Sequence, residues 1–267
     1  MARASVLRSY TRFLSVTFQV NLQAVIEYRL NFLLQVFGMI LNNASFALFW
    51  AVLIQQTGGI GGYGFSDVMF LWALVSSSFG LAHVCFGNIR HLGAMVQKGE
   101  IDTYLLQPKD VFLNLLTSRT IVSGWGDLLY GFIVIALLPG LSLAQLGFFC
   151  VLTLTGGLIF AATFAAAESL AFFLGNASAL SSAISEFLLS FSLYPETVFD
   201  QGMRWLFYSL IPSGFIAFIP LAAYKALDLK ALPLLALMAL VYGAGSYLLF
   251  NLGLRRYESG NRMGTRI

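Results

Sequence analysis

Four ionisable side chains interrupt stretches of this chain that are otherwise apolar: His83, Asp127, Glu168 and Glu186. In hydrocarbon such groups are costly, and they mark pathways, proton relays or ligand sites. Asp127 offers a carboxylate to a polar cavity. Glu168 lies toward the basic end of its apolar stretch and Glu186 near the start of the next, within reach of water. Together the three carboxylates are the candidates for a substrate pathway; each reads equally as a packing group that hydrogen-bonds between helices. His83 reads as a hydrogen-bonded interior residue. No motif for hydrolysis is present: the chain holds neither His-Glu-x-x-His nor Gly-x-Ser-x-Gly, the patterns that place a zinc pair or an activated serine. The two histidines, His83 and His91, are too sparse for a metal site, and Cys85 and Cys150 read as small apolar residues. No catalytic residue, metal or cofactor is therefore expected in this chain.

A second group of chemically capable residues lies close together, in Gly93–Pro108 (GAMVQKGEIDTYLLQP). It is the longest polar interval in the sequence. Gln97, Lys98, Glu100, Asp102 and Thr103 alternate with Met95, Val96, Ile101, Tyr104 and Leu105. The pattern predicts a short amphipathic helix lying on a membrane surface and ended by Pro108.

The elements that position these residues follow from composition. Hydrophobic residues make up 58% and charged residues 10% of the chain, and the mean hydropathy is +0.81. Soluble domains carry about 25% charged residues, so the bilayer is the solvent for most of this surface. The expected fold is an all-α polytopic membrane protein, one transmembrane domain over residues 1–267. About six stretches approach the ~20 apolar residues that span a bilayer: Phe32–Ile54, Val68–Ile89, Ile121–Leu138, Leu146–Leu174, Ala179–Phe199 and Leu232–Leu254. No cleavable signal peptide is expected, because the first apolar span begins only after a basic lead.

Lys and Arg set the orientation. Arg3, Arg8, Arg12 and Arg29 precede the first span, Arg90, Lys98, Lys109 and Arg119 separate the second and third, and Arg255, Arg256, Arg262 and Arg266 follow the last. Gln55–Asp67 and Pro139–Gln145 carry none. By the positive-inside rule both termini and the loop 90–119 face the cytoplasm. Residues 1–30 read as an amphipathic interfacial helix with its basic residues toward anionic headgroups. Residues 200–231 are apolar but broken by Pro212 and Pro220. They read as a re-entrant or interfacial helical hairpin on the outer side, since irregular backbone at membrane depth must be shielded by protein or water. The Gly58–Gly64 cluster lacks the Lys-Ser/Thr of a phosphate-binding loop and reads as a flexible turn.

The run Lys98–Pro108 (KGEIDTYLLQP) resembles the cytoplasmic loop of ABC type 2 exporter permeases, where a G-x-[IL]-[DE]-x-x-L-L-x-P pattern follows the second span. The run Tyr194–Pro220, with its Tyr194-Pro195 pair and the prolines Pro212 and Pro220, resembles the same family's segment between the fifth span and the last. The resemblance implies that the polar interval is a coupling helix seated in a groove of a separate ATPase subunit. Lys98, Glu100, Asp102 and Tyr104 would touch that partner, and Ile101 and Leu105 would pack beneath the helix. It further implies a pair of ATPase subunits that bind ATP and Mg, and a second permease copy or a paralogous permease. The chain itself would be no enzyme. The implied function is export of an apolar or amphiphilic substrate across a bacterial cytoplasmic membrane. The alternative is a non-transporting membrane partner that docks a cytoplasmic regulator or assembly factor. Membrane lipids are expected partners and nucleic acid is not.

Overall fold

The computed structural model describes residues 2–257, with side chains from residue 8 onward. Among these residues there is no β-strand, only an isolated bridge between Ile60 and Tyr63. The helices are α1 (Ala2–Glu27), α2 (Arg29–Thr57), α3 (Phe65–Phe86), α4 (Leu92–Lys98), α5 (Asp102–Leu105), α6 (Val111–Thr117), α7 (Ser123–Leu137), α8 (Leu143–Ser169), α9 (Ala171–Leu174), α10 (Ser178–Leu193), α11 (Gln201–Phe207), α12 (Ile219–Ala226) and α13 (Ala231–Leu254). A 3₁₀ turn, Gly87–His91, carries α3 into α4, and a π-helical turn, Gly214–Phe218, leads into α12.

Four helical segments are long and apolar enough to cross a membrane: Arg29–Thr57, Phe65–Lys98, Leu143–Leu174 and Ala231–Leu254. They coincide with the first, second, fourth and sixth predicted spans. The third and fifth are shorter helices, α7 with 15 residues and α10 with 16. Pro139 and the positive-φ Gly140 follow α7 closely. Tyr194-Pro195 ends α10 in extended backbone, five residues before the predicted end at Phe199.

α3 and α8 form the centre, and most of their apolar stretches are buried. α2 and α13 are peripheral and turn Leu33, Leu34, Leu48, Leu237, Leu240 and Leu248 outward. Burying apolar side chains does not by itself hold helices together in lipid; close backbone approach does. Gly80 on α3 and Gly131 on α7 sit so near the facing helix that an added Cβ would meet backbone atoms of the other. Ser77 hydroxyl donates to the Leu128 carbonyl at 3.2 Å across the same seam.

The molecule has two well-separated ends. One gathers the glycine loop, the start of α3, the α7–α8 turn and the end of α12, where Lys225 pairs with Asp67 at 2.7 Å. The other gathers α4 to α6, α9 and the end of α13. Gln97 amide donates to the Gly175 carbonyl there at 3.0 Å. This division matches the predicted segregation of basic and non-basic loops.

The segment 200–231 is broken helix. α11 leads to a turn at Tyr208–Ser213, and the π-helical turn and α12 lead back. Its tip reaches deep into the bundle. Tyr242, halfway along α13, donates its hydroxyl to the Ser209 carbonyl, and Ile216 packs near Gly156, halfway along α8. Ile211 through Phe218 are all buried. Pro212 cannot donate, but its carbonyl accepts from Phe215 and Ile216 N–H groups at 3.2 Å each. Pro220 falls in the first turn of α12, where its missing N–H is tolerated.

α1 is a separate helix, ended at Tyr28 by a non-helical backbone angle. It is mostly exposed and is pinned at both ends of its described part. Lys109 Nζ donates to Ser9 Oγ at 2.9 Å, and Asn21 amide donates to the Thr117 carbonyl at 2.8 Å.

Candidate functional site: the α4–α5 turn and its anchors

α4 is amphipathic in fact as in pattern. Leu92, Gly93, Met95 and Val96 are buried, while Ala94, Gln97 and Lys98 are exposed. The structure corrects the single helix expected over Gly93–Pro108. Gly99 adopts φ 71°, a left-handed conformation suited to glycine. It stops α4 and turns the chain sharply into α5. Glu100 N–H closes this turn on the Met95 carbonyl at 2.9 Å.

The turn sorts the predicted partner-contact residues. Lys98 and Glu100 point outward. Ile101 is fully buried. Tyr104 is half-buried, and its hydroxyl lies 3.0 Å from Ser118 Oγ, facing α6. Leu105 is 44% exposed rather than packed beneath, and its neighbour Leu106, not singled out from sequence, is 88% exposed. Asp102 is half-buried and faces the Tyr257 hydroxyl just beyond α13. Burial and the adjacent Asp102 carboxylate push the Tyr257 hydroxyl up to about 12, so it stays neutral and able to donate.

Two buried links tie this turn to the bundle. Glu168, near the end of α8, accepts from the Gly93 N–H at 3.1 Å. That N–H belongs to the first turn of α4 and has no carbonyl partner within its own helix. A Cβ at Gly93 would lie 2.7 Å from Glu168 Oε2, so a larger residue there would displace this carboxylate. Asn88 amide donates to the Leu115 carbonyl at 2.9 Å, fixing the 3₁₀ turn to α6. Tyr257 adds a third anchor: its ring meets Phe172 edge-on at 6.1 Å, and Arg256 lies over Phe173 at 5.2 Å.

The three carboxylates predicted for a pathway are not brought together. Glu168 belongs to the turn. Glu186 is exposed on the outer face of α10. Asp127 alone lies in a cavity, of about 350 Å³, between α2, α3, α7 and α10. It is 3% exposed, and Asn43 amide donates to it at 2.7 Å. Ser76 hydroxyl donates to Asn43 Oδ1 at 3.4 Å. Phe46, Trp72, Phe79 and Tyr194 complete the walls, and the buried Trp72 Nε1 has no hydrogen-bond partner among the described residues. Tyr194 therefore lines this cavity as well as ending α10. Sequence reasoning missed Asn43; an Asn in mid-span is a signal of the same kind as Asp127. His83 holds the interior place expected of it, its Nδ1–H donating to the Phe79 carbonyl at 2.9 Å.

Among the described residues, no cluster of His, Cys, Asp or Glu is arranged to hold a metal. Comparison with curated proteins and with solved structures gives no match. A family model, described as ABC-2 family transporter protein, matches residues 39–261. That stretch takes in the broken turn, the Asp127 cavity and the proline hairpin, and the chain belongs to the ABC-2 family of transporter proteins.

Proposed function

We propose that this chain is the permease subunit of an ATP-driven exporter, powered by a separate ATPase and moving an apolar or amphiphilic substrate across a bacterial cytoplasmic membrane. The observation that carries this reading is the α4–α5 turn. It offers Lys98, Glu100, Leu105 and Leu106 outward while Glu168, Asn88 and Tyr257 tie its base to α8, α6 and α13. A surface held this way transmits displacement instead of absorbing it. The apolar Leu105-Leu106 pair beside Lys98 and Glu100 suits a groove with a greasy floor and a charged rim.

In this reading α7 and α10 complete six crossings and both termini face the cytoplasm, as the basic residues direct. The proline hairpin enters from the outer side and returns to it. Two permeases, identical or paralogous, pair with two ATPase subunits that hold ATP and Mg. ATP binding draws the ATPases together, and the turns move with them. The bundle then exchanges between two packings for which ATP has different affinities. The Asp127 cavity, with its aromatic walls, is the pathway candidate that the geometry favours over Glu168 and Glu186.

The test is co-purification and ATP turnover with the cognate ATPase subunit. Glu100→Lys and Leu106→Asp should each abolish co-purification and lower turnover at least tenfold, about the cost of one buried interface contact. Unchanged association with both substitutions would remove the turn from its assigned role. Association without substrate-stimulated turnover or transport in vesicles would instead favour a non-transporting partner.

A further inference from the structure

A second cavity, of about 500 Å³, lies between α1, α6, α8 and α13 and plays no part in the reading above. Its walls include Phe86, Phe112, Leu116, Leu158 and Gly243. Its volume is within the ~300–1,000 Å³ of ordinary small-molecule sites. Its depth is defined by its helices. Gly243 and Leu158 are close to the midpoints of α13 and α8, and Tyr247 and Asp110 lie toward the end that carries the α4–α5 turn. From those midpoints the lining residues of α8 and α13 run about one helical turn toward that end.

Cations gather where α1 crosses this mouth. Arg8 and Arg12 line a shallow groove with Phe13 and Lys109. Lys109 Nζ stands between groove and cleft, 5.5 Å from the Phe13 ring centre and 5.2 Å from that of Tyr10, which lines the cleft. Among the described residues none of the three cations has a carboxylate within ion-pair distance. The nearby Asp110 is engaged elsewhere. It accepts from Leu113 N–H at 2.9 Å and from the Tyr247 hydroxyl at 3.0 Å, and its own N–H donates to Tyr10 Oη at 3.2 Å. These bonds hold the mouth in shape, and Lys109 Nζ, which donates to Ser9 Oγ, keeps two further N–H donors.

We propose that the cleft is a binding site for an anionic phospholipid. One acyl chain lies along Phe112, Leu116 and Leu158, and the phosphate meets Arg8, Arg12 and Lys109. An apolar slot headed by cations that have no carboxylate partner among the described residues complements that molecule in polarity and charge. The lipid thereby fastens α1 to α6 and α13. The site is independent of cargo and ATPase.

The test uses the full chain in detergent with equimolar phosphatidylglycerol and phosphatidylcholine, with bound lipid counted by native mass spectrometry. Phosphatidylglycerol should be retained in roughly tenfold excess, as expected for a few interfacial cations. Replacing Arg8, Arg12 and Lys109 together by Gln should bring the ratio to about one, since the charge preference is then gone. Gly243→Leu should lower retention of both lipids severalfold with an unchanged melting temperature, because a Cβ there meets no atom within 4 Å. Equal retention of the two lipids by the natural chain would overturn the proposal. So would phosphatidylglycerol retention that survives Gly243→Leu, which would place the lipid on the surface of α1 only. Loss of lipid on dimerisation would assign the cleft to a second copy and equally overturn it.

Discussion

The α4–α5 turn and the proline hairpin are both interruptions of helix, one at an end of the bundle and one reaching its midpoint, and they are handled differently. The hairpin hides the returning half of its turn and leaves Tyr208, Ser209 and Leu210 exposed. Ile211 to Phe218 are buried, the Ile211 and Pro212 carbonyls accept from nearby backbone N–H groups, and the Ser209 carbonyl accepts from Tyr242. The turn at Gly99 leaves its break at the surface and anchors only its base. The contrast follows from solvent. Unpaired backbone in hydrocarbon costs several kcal/mol per group, whereas water satisfies it at the interface. A break deep in the membrane must be structural before it can be anything else. A break in water is free to present side chains to another protein.

If that contrast holds, the largest effect belongs to the hairpin tip. Ile216→Asp sets a carboxylate among buried apolar groups and should cost several kcal/mol. We expect no monodisperse protein in mild detergent, and a chain that purifies with a near-normal melting temperature would show the tip to be wet. Next is the helix seam that supports both regions. Gly80→Leu forces α3 from α7 and should cost about 1–3 kcal/mol, read as a lower melting temperature in the same detergent. Glu168→Ala falls between the regions. It removes the Gly93 partner and leaves a buried N–H unpaired, at about 1–3 kcal/mol. ATP turnover with the partner should fall more than this loss of stability predicts, and equal losses in both would make Glu168 merely structural. The smallest change in stability belongs to the exposed face of the turn. Glu100→Lys and Leu106→Ala should move stability by less than about 0.5 kcal/mol while weakening ATPase association. A stability loss at these positions would erase the distinction between the two regions.

Much of the fold was legible because hydrophobicity and length report directly on a bilayer. The spans at α2, α3, α8 and α13 were placed to within a few residues, and the prolines at 212 and 220 announced the broken helix. The site was legible as a location, less so as a shape. The amphipathic pattern around Lys98 looked continuous, and Gly99 passed as an ordinary helix residue. Only its left-handed backbone separates α4 from α5, and with that turn Leu105 and Leu106 become the exposed apolar pair. Glu168 read as a pathway residue because its position in a span carries no record of what faces it.

By itself, then, the sequence determined which stretches are apolar enough to cross a membrane, how its basic loops divide along the chain, and where its longest polar interval lies. Transfer energies and the positive-inside rule act residue by residue and need no knowledge of neighbours. Tertiary structure alone decided that Asp127 meets Asn43 in a cavity, that Glu168 meets Gly93 seventy-five residues away, and that Arg8, Arg12 and Lys109 gather at the mouth of an apolar cleft. Those pairings depend on helix rotation and on the close approach that small residues permit. Hydropathy is blind to both, because a greasy helix can turn any of its faces toward lipid at nearly equal cost.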